Sequence, residues 1–165
     1  MVMKIFILVI LLFSLAACHQ PSAPIQNLQA RVDSLQRELR NSYRPGLGEF
    51  MSGIQVHHAK LWFAGQAGNW KLSDFETKEI RETIDDIQAW CKDRPEVVNI
   101  PILTPPLDSI DAAVRNRSIA QFKSGFVLLT NTCNTCHQAT KHAFNVIQIP
   151  STPPFTNQVF QNRTK

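Results

Sequence analysis

Five consecutive residues, Cys133-Asn134-Thr135-Cys136-His137, combine two thiols and an imidazole at the spacing C-x-x-C-H. Each of these groups has a use in attaching a c-type haem. The two thiols add across the two vinyl groups of one porphyrin, and the adjacent imidazole ligates the iron. The sequence therefore predicts one covalently bound haem c, with Cys133 and Cys136 as thioether sites and His137 as the proximal iron ligand.

Two other interpretations of the cysteine pair remain open at this point. A thioredoxin-like redox motif would need its C-x-x-C between a strand and a helix. A zinc site could use Cys133, Cys136, His137 and His142 as ligands. The apolar residues around the motif favour haem over both alternatives, because they suit a porphyrin better than a small metal site.

The residues upstream predict the helix that carries this motif. Apolar side chains recur there at spacings of four and three, which places them on one helical face: Phe122, Phe126, Leu129, Cys133 and Cys136. His137 lies at the edge of this face, so the two thiols and the imidazole should point into the same packing surface. The segment Ser118–Gln121 has the form of a capping box, and we expect the helix to begin near Ser118.

Residues 1–17 have the pattern of a signal peptide, with Lys4 followed by an apolar run that is too short for an ordinary transmembrane helix. The following Leu15-Ala16-Ala17-Cys18 resembles a bacterial lipobox. This resemblance implies cleavage before Cys18 and lipidation of its sulfur, although a plain secretory signal or an uncleaved anchor would also export the chain. We expect a lipid-anchored protein on the periplasmic side of a bacterial cell envelope, where haem is attached to such motifs. His19, in place of Asp, favours the outer membrane.

Residues 18–45 are predicted to form the lipidated N-terminus and a stalk helix. Apolar residues recur there at spacings of three and four: Ile25, Leu28, Val32, Leu35 and Leu39. This pattern predicts either a stalk or short coiled coil that would hold a homodimer, or a helix that packs against the main domain. Little more than two heptads is marginal on its own.

Residues 46–142 are predicted to form the haem-binding domain, which would be all-α. Its first helix begins at Leu47 and is broken at Gly68-Asn69, and a capping box at Ser73–Glu76 opens the second helix. We expect the acidic residues of that second helix to face solvent.

The remaining segments of the chain carry weaker signals. The proline-rich residues 95–106 predict an extended connection, and residues 107–115 predict a short helix before the haem helix. Residues 143–165 form an apolar tail that we expect to pack on the bundle, where it could cover a haem edge. Cys91 has no partner once the other three cysteines are assigned, so we expect it to be a buried apolar residue.

The charge distribution indicates which classes of partner the protein is expected to bind. The formal net charge is +4 over 165 residues, and two haem propionates would bring it close to neutrality, so nucleic-acid binding is not expected. Beyond Asp111 every charged residue is basic: Arg115, Arg117, Lys123, Lys141, Arg163 and Lys165. One interpretation is a positive surface that steers an acidic redox partner. The other is that these charges only offset the propionates or lie in the tail.

Four amphipathic helices with C-x-x-C-H near the end of the last one resemble the class II c-type cytochromes, the cytochrome c′ family. The resemblance covers residues 47–142, and the haem motif is its one specific element. It implies an antiparallel four-helix bundle with the proximal histidine on the final helix and a distal position on the first. The family usually has an aromatic and a basic residue soon after this histidine, whereas Gln138–Lys141 offers only the base.

The distal ligand decides the function. A sixth protein ligand gives low-spin iron suited to passing one electron, whereas an open position can take nitric oxide or carbon monoxide. Met51 and His58 lie two turns apart on the first bundle helix, so either one but not both could ligate, and each also has a purely structural interpretation. The low-spin members of the resembled family use a thioether from this helix, which favours Met51. His57 and His142 are weaker candidates.

An oxidoreductase subunit or a peroxidase-like enzyme has little support, because the sequence has no second haem motif and no distal acid/base pair that it can identify. These observations therefore favour two functional hypotheses. The first is a membrane-tethered monohaem cytochrome that carries single electrons in the cell envelope and is not an enzyme. The second is a five-coordinate haem protein that binds or senses a diatomic gas.

Overall fold

The computed structural model describes residues 23–162, so the predicted signal peptide and the lipidation site at Cys18 lie outside the described residues. The described part is all-α and contains no strand, which confirms the predicted fold class. It forms two compact units that divide after Tyr43. Within residues 23–162 no helix combines the length and apolarity needed to span a membrane.

The first unit contributes helix α1, Ala23–Asn41. Its apolar residues line one face and are 38 to 64% exposed: Ile25, Leu28, Val32, Leu35 and Leu39. Gln29 donates a side-chain hydrogen bond to Asp33 one turn later, at 2.9 Å. The a/d stripe predicted from the sequence is therefore an exposed surface of a single helix.

The second unit holds the remaining helices. They are α2 (Leu47–Gln66), α3 (Trp70–Trp90), a 3-10 helix (Pro95–Leu103), α4 (Thr104–Arg115) and α5 (Ile119–Ala139). Helix α2 packs against α3, and α4 packs against α5. Helix α5 also contacts α2 and the 3-10 helix, which brings the C-x-x-C-H motif beside the start of α2.

Side-chain caps fix where two of these helices begin. Ser118 accepts a hydrogen bond from the backbone N–H of Gln121 at 3.3 Å, so α5 begins where the capping pattern predicted. Helix α3 begins at Trp70 because Asn69 accepts from the N–H of Leu72, also at 3.3 Å. The predicted start at Ser73 is therefore wrong, and Ser73 is a buried residue inside the helix.

The connection across residues 95–106 is also different from its prediction. Residues 95–103 form a 3-10 helix, and the prolines at positions 105 and 106 lie in the first turn of α4. Proline is tolerated in a first helical turn, where its missing N–H would have no intrahelical partner. Ile100 and Leu103 are buried, so this segment supplies core residues rather than an extended linker.

An aromatic cluster joins α2 and α5 at the centre of the second unit. Trp62 lies 4.8 Å from Phe126 and 6.3 Å from Phe122, measured between ring centroids. Phe122 also lies directly against Gly65, where an added Cβ would fall 2.1 Å from the ring. The absence of a side chain at Gly65 therefore sets how closely α2 and α5 approach each other.

Candidate functional site

The C-x-x-C-H motif lines a cavity of the second unit, which has a volume of about 290 Å³. Cys133, Cys136 and His137 all line it, as the helical spacing predicted. The opposite wall comes from α2 and the 3-10 helix. Apolar side chains make up much of the lining: Leu47, Met51, Ile54, Ile100, Leu103 and Ile147.

The two cysteines continue the buried stripe of α5 and are free thiols. Burial raises the pKa of the Cys133 thiol to about 12, with a further contribution from Cys136. Burial also raises the pKa of Cys136. Both thiols are therefore protonated at neutral pH. A redox-active C-x-x-C motif has instead a thiol whose pKa is lowered.

This helical setting bears on the two alternative interpretations of the motif. Both cysteines lie inside α5, and within residues 23–162 no strand precedes it, so the described residues do not form the strand-turn-helix context of a thioredoxin-like site. Over residues 23–162, no three His, Cys, Asp or Glu side chains converge closely enough to hold a metal ion. The side chains of Cys133, Cys136, His137 and His142 are thus not arranged as a zinc site.

His137 has a defined hydrogen-bond partner. Its Nδ1 lies 2.5 Å from the backbone oxygen of Asn145 in the C-terminal segment. A carbonyl oxygen can only accept, so the proton of the neutral imidazole is on Nδ1 and Nε2 carries the free lone pair. This is the tautomer in which a histidine can ligate a metal through Nε2 while its second nitrogen is oriented by a hydrogen bond.

Asn134, the first residue between the two cysteines, holds the same C-terminal segment. Its Nδ2 donates to the backbone oxygen of Ile147, and its Oδ1 accepts from the backbone N–H of Ile147, both at 2.8 Å. Ile147 in turn lines the cavity. Sequence reasoning did not identify Asn134 or Asn145 as part of the site, because their partners are backbone atoms in a segment without periodicity.

The tail lies against the domain at its far end as well. Asn69 donates a side-chain hydrogen bond to the backbone oxygen of Phe160 at 3.0 Å. Phe160 is buried and contacts Phe63, with 5.7 Å between ring centroids. Other tail residues, among them Phe144 and Val146, are exposed.

Helix α2 presents both predicted distal candidates to the cavity. Met51 is half-buried, and His58 is buried with 3% exposure. His58 Nε2 lies 2.9 Å from Thr130 Oγ1, and the Thr130 hydroxyl donates to the backbone oxygen of Phe126 at 2.9 Å. The Thr130 hydroxyl has one proton, which the bond to Phe126 uses, so Oγ1 can only accept from His58. The Nε2 atom of His58 therefore carries the ring proton.

The environment of His58 is that of a core histidine. Its ring lies 4.3 Å from the Phe126 ring, between centroids. Burial lowers its pKa to about 4, so the imidazole is neutral at physiological pH. The hydrogen bond to Thr130 engages only Nε2, and the lone pair of the neutral ring is on Nδ1, so His58 and the Met51 thioether each keep a possible donor atom.

An ion pair lies at the edge of the cavity. Arg94 contacts Glu96 through Nε at 3.2 Å and through a terminal nitrogen at 2.9 Å. The side-chain hydrogen bond from Arg94 lowers the pKa of Glu96. Both residues line the cavity, so its rim offers one guanidinium that is balanced by a carboxylate.

His57, a weaker distal candidate, is turned away from this cavity. Its Nδ1 lies 2.7 Å from Glu76 Oε2, and Lys60 Nζ lies 3.9 Å from Glu76 Oε1. Glu76 has no exposed surface, so the prediction that the acidic residues of α3 all face solvent is wrong at this position. His142, the other weak candidate, lines the cavity on the same side as the proximal histidine.

Comparison of the chain with protein-family models, with curated proteins and with solved structures found no match. The assignment of the site therefore depends on its own residues. These comprise two thiols one helical turn apart, an adjacent imidazole with its lone pair on Nε2, a thioether on the facing helix and apolar walls. This donor set fits the requirements of a haem c.

Proposed function

We propose that this protein is a monohaem c-type cytochrome that carries single electrons in the bacterial cell envelope. The observation that carries the proposal is the convergence of Cys133, Cys136, His137 and Met51 on one largely apolar cavity. The thiols would form the two thioether bonds, His137 would be the proximal ligand and Met51 the distal ligand. When bound in this way, haem iron supplies reversible one-electron chemistry.

The chain's own residues would have three tasks in this function. Cys133 and Cys136 fix the orientation of the cofactor on α5, and the apolar lining excludes water from it. The Asn145 carbonyl orients His137 through Nδ1. Neutral His58 provides a buried polar side chain near the distal side without adding a charge.

The packing of α2 against α3 and of α4 against α5 supports a class II-like four-helix bundle with the motif on its last helix. The lipobox-like Leu15–Cys18 supports a lipid anchor on the periplasmic side, with the outer membrane favoured by His19. The basic residues beyond Asp111 support docking of an acidic redox protein. No feature of the cavity suggests an enzyme, and one covalent haem is the only cofactor proposed.

The alternative is a five-coordinate haem protein that binds nitric oxide or carbon monoxide. It is favoured by the packing of His58, whose ring is buried against Phe126 and held through Nε2 by Thr130, which gives this imidazole a structural role that does not depend on iron. If the Met51 thioether does not reach the iron, the distal position is open. The spectrum of the purified protein decides between the two functions.

The test is expression of the full chain in bacteria that mature c-type cytochromes, followed by intact-mass measurement and an acid-acetone extraction. The expected product retains one haem through the extraction. Replacing both motif cysteines (Cys133→Ala with Cys136→Ala) should abolish covalent retention. The matched control is Cys91→Ala, a buried cysteine outside the cavity, which should retain haem. A colourless wild-type product at the polypeptide mass would refute the proposal.

Optical spectra of the same product address coordination. Sharp low-spin bands in the reduced state, with a charge-transfer band from sulfur ligation in the oxidised state, would support electron transfer. A high-spin spectrum that shifts on adding carbon monoxide would support gas binding instead.

A further inference from the structure

We infer that Asn134 is a positioning residue for the proximal ligand: it clamps the C-terminal segment so that the Asn145 carbonyl stays on Nδ1 of His137. The inference rests on the proposed function, because it concerns the ligand of a haem. It goes beyond that function by assigning control of the ligand to a residue inside the C-x-x-C-H motif that binds neither the porphyrin nor the iron.

The first step is the pairing between Asn134 and Ile147. The two hydrogen bonds, both 2.8 Å, join one side-chain amide to the N–H and the C=O of a single residue. This pairing uses a donor and an acceptor at once. Among side chains of this length, only the amide of asparagine provides both. Alanine would provide neither, and aspartate would place a carboxylate against the Ile147 carbonyl.

The second step is the short path from Ile147 to Asn145. Asn145 is two residues before Ile147, and its own N–H donates to the His142 carbonyl at 2.8 Å. The N–H of His142 donates to the His137 carbonyl at 2.7 Å, across a left-handed turn at Lys141. The segment is thus tied to the end of α5 on one side of Asn145 and to Asn134 on the other, which leaves its carbonyl little freedom to leave His137.

The third step is the effect on the ligand. A hydrogen bond from Nδ1–H to a carbonyl increases the basicity of Nε2 and fixes the plane of the imidazole ring. A more basic ligand stabilises the oxidised metal relative to the reduced one. Loss of the clamp should therefore raise the reduction potential, although the haem and its iron ligands would be unchanged.

The experiment compares haem-loaded wild type with Asn134→Ala, Asn134→Asp and Asn131→Ala. Asn131 is an exposed asparagine one turn earlier on α5, which makes it the matched control. Reduction potentials come from spectroelectrochemical titration, and hydrogen exchange of the Ile147 amide reports directly on the clamp. We expect Asn134→Ala and Asn134→Asp to exchange this amide faster and to have higher potentials, whereas Asn131→Ala should match wild type in both measurements.

The failures of the two ideas can be told apart. Wild-type protein without bound haem would overturn the proposed function and this inference together. Haem-loaded Asn134→Ala with an unchanged potential would overturn the positioning role alone, whatever its amide exchange. Asn134→Gln keeps a donor and an acceptor. If this variant has slow exchange of the Ile147 amide and the wild-type potential, the result would add support that a general loss of stability could not explain.

Discussion

His58 of α2 donates a hydrogen bond from Nε2 to Thr130 Oγ1 of α5, at 2.9 Å, and burial holds the pKa of this histidine near 4. An unfolded histidine has a pKa of about 6.5. Between these values the unfolded chain binds the proton and the folded chain does not, so the free energy of unfolding falls as the pH is lowered. The full effect would be roughly 3 kcal/mol below pH 4, of which about 2 kcal/mol is lost between pH 7 and pH 5.

Denaturant unfolding at pH 7 and pH 5 checks this prediction. Other groups titrate in the same range, so the measured quantity is the difference between wild type and His58→Gln, which keeps a donor for Thr130. His58→Gln should lose about 2 kcal/mol less than wild type over this interval. The same replacement of His142 is the control, and an equal pH dependence in wild type and His58→Gln would contradict the assignment of His58 as a buried neutral residue.

Met51→Ala tests the distal ligand. If the thioether binds the iron, the variant should lose low-spin character and bind carbon monoxide more readily, because the sixth position becomes open. Removing the side chain of a half-buried methionine should also lower stability by about 1 to 2 kcal/mol. Oxidised and reduced spectra with and without carbon monoxide measure the first effect.

The matched comparison for this variant is His58→Gln. It should leave the spectrum low-spin if Met51 is the ligand, since the buried His58 ring then serves only to pair with Thr130. If His58→Gln rather than Met51→Ala changes the spin state, then His58 is the ligand, through the Nδ1 lone pair that its hydrogen bond to Thr130 does not use.

Gly65→Ala should destabilise the protein even though alanine is a better helix former. The new Cβ would fall 2.1 Å from the ring of Phe122, which is fully buried and has no room to retreat. Overpacking of this kind costs typically 1 to 3 kcal/mol, against about 1 kcal/mol gained from helix propensity. We expect a net loss of about 1 kcal/mol, seen as a lower thermal unfolding midpoint.

Gly53→Ala is the control for this substitution because it lies in the same helix. A Cβ there would meet nothing within 4 Å, so the propensity gain of about 1 kcal/mol should appear as increased stability. Equal effects at the two positions would show that the approach of Phe122 to Gly65 is not a constraint.

The success of sequence reasoning on this chain depended on the kind of partner each residue has. The stripe from Phe122 to Cys136 was predictable because helical periodicity places its members on one face whatever they pack against. The burial of Glu76 was not predictable from periodicity, since it results from His57 and Lys60 on another helix. Proline content alone did not separate a 3-10 helix from an extended connection.

The same distinction applies within the site. Cys133, Cys136 and His137 were predicted together because the proposed chemistry depends on spacing along the chain, and all three line one cavity. Asn134 was overlooked although it lies between them, because the role proposed for it follows from hydrogen bonds to Ile147, and backbone groups are identical in every residue. Its side-chain type was the one signal, since an amide can satisfy a backbone N–H and C=O together.

Helix α1 gives the last prediction, which concerns the homodimer. Its exposed stripe assigns Ile25, Val32 and Leu39 to heptad position a and Leu28 and Leu35 to position d. Mostly β-branched residues at a with leucine at d favour a parallel two-stranded coiled coil. A pair of parallel helices would also suit two chains anchored at their N-termini in one membrane. We therefore expect a weak, concentration-dependent dimer.

Sedimentation equilibrium of the mature chain with Cys18→Ala tests this expectation without detergent. Two heptads give limited stability, so dimerisation should increase steeply over the accessible concentration range. Leu28→Lys with Leu35→Lys should produce a monomer at all concentrations, because both d positions would bring lysines together. Ala30→Lys adds a charge at the outer f position of the same helix and should leave the dimer intact. A wild-type chain that stays monomeric, or a dimer unaffected by the two leucine replacements, would rule out association through α1.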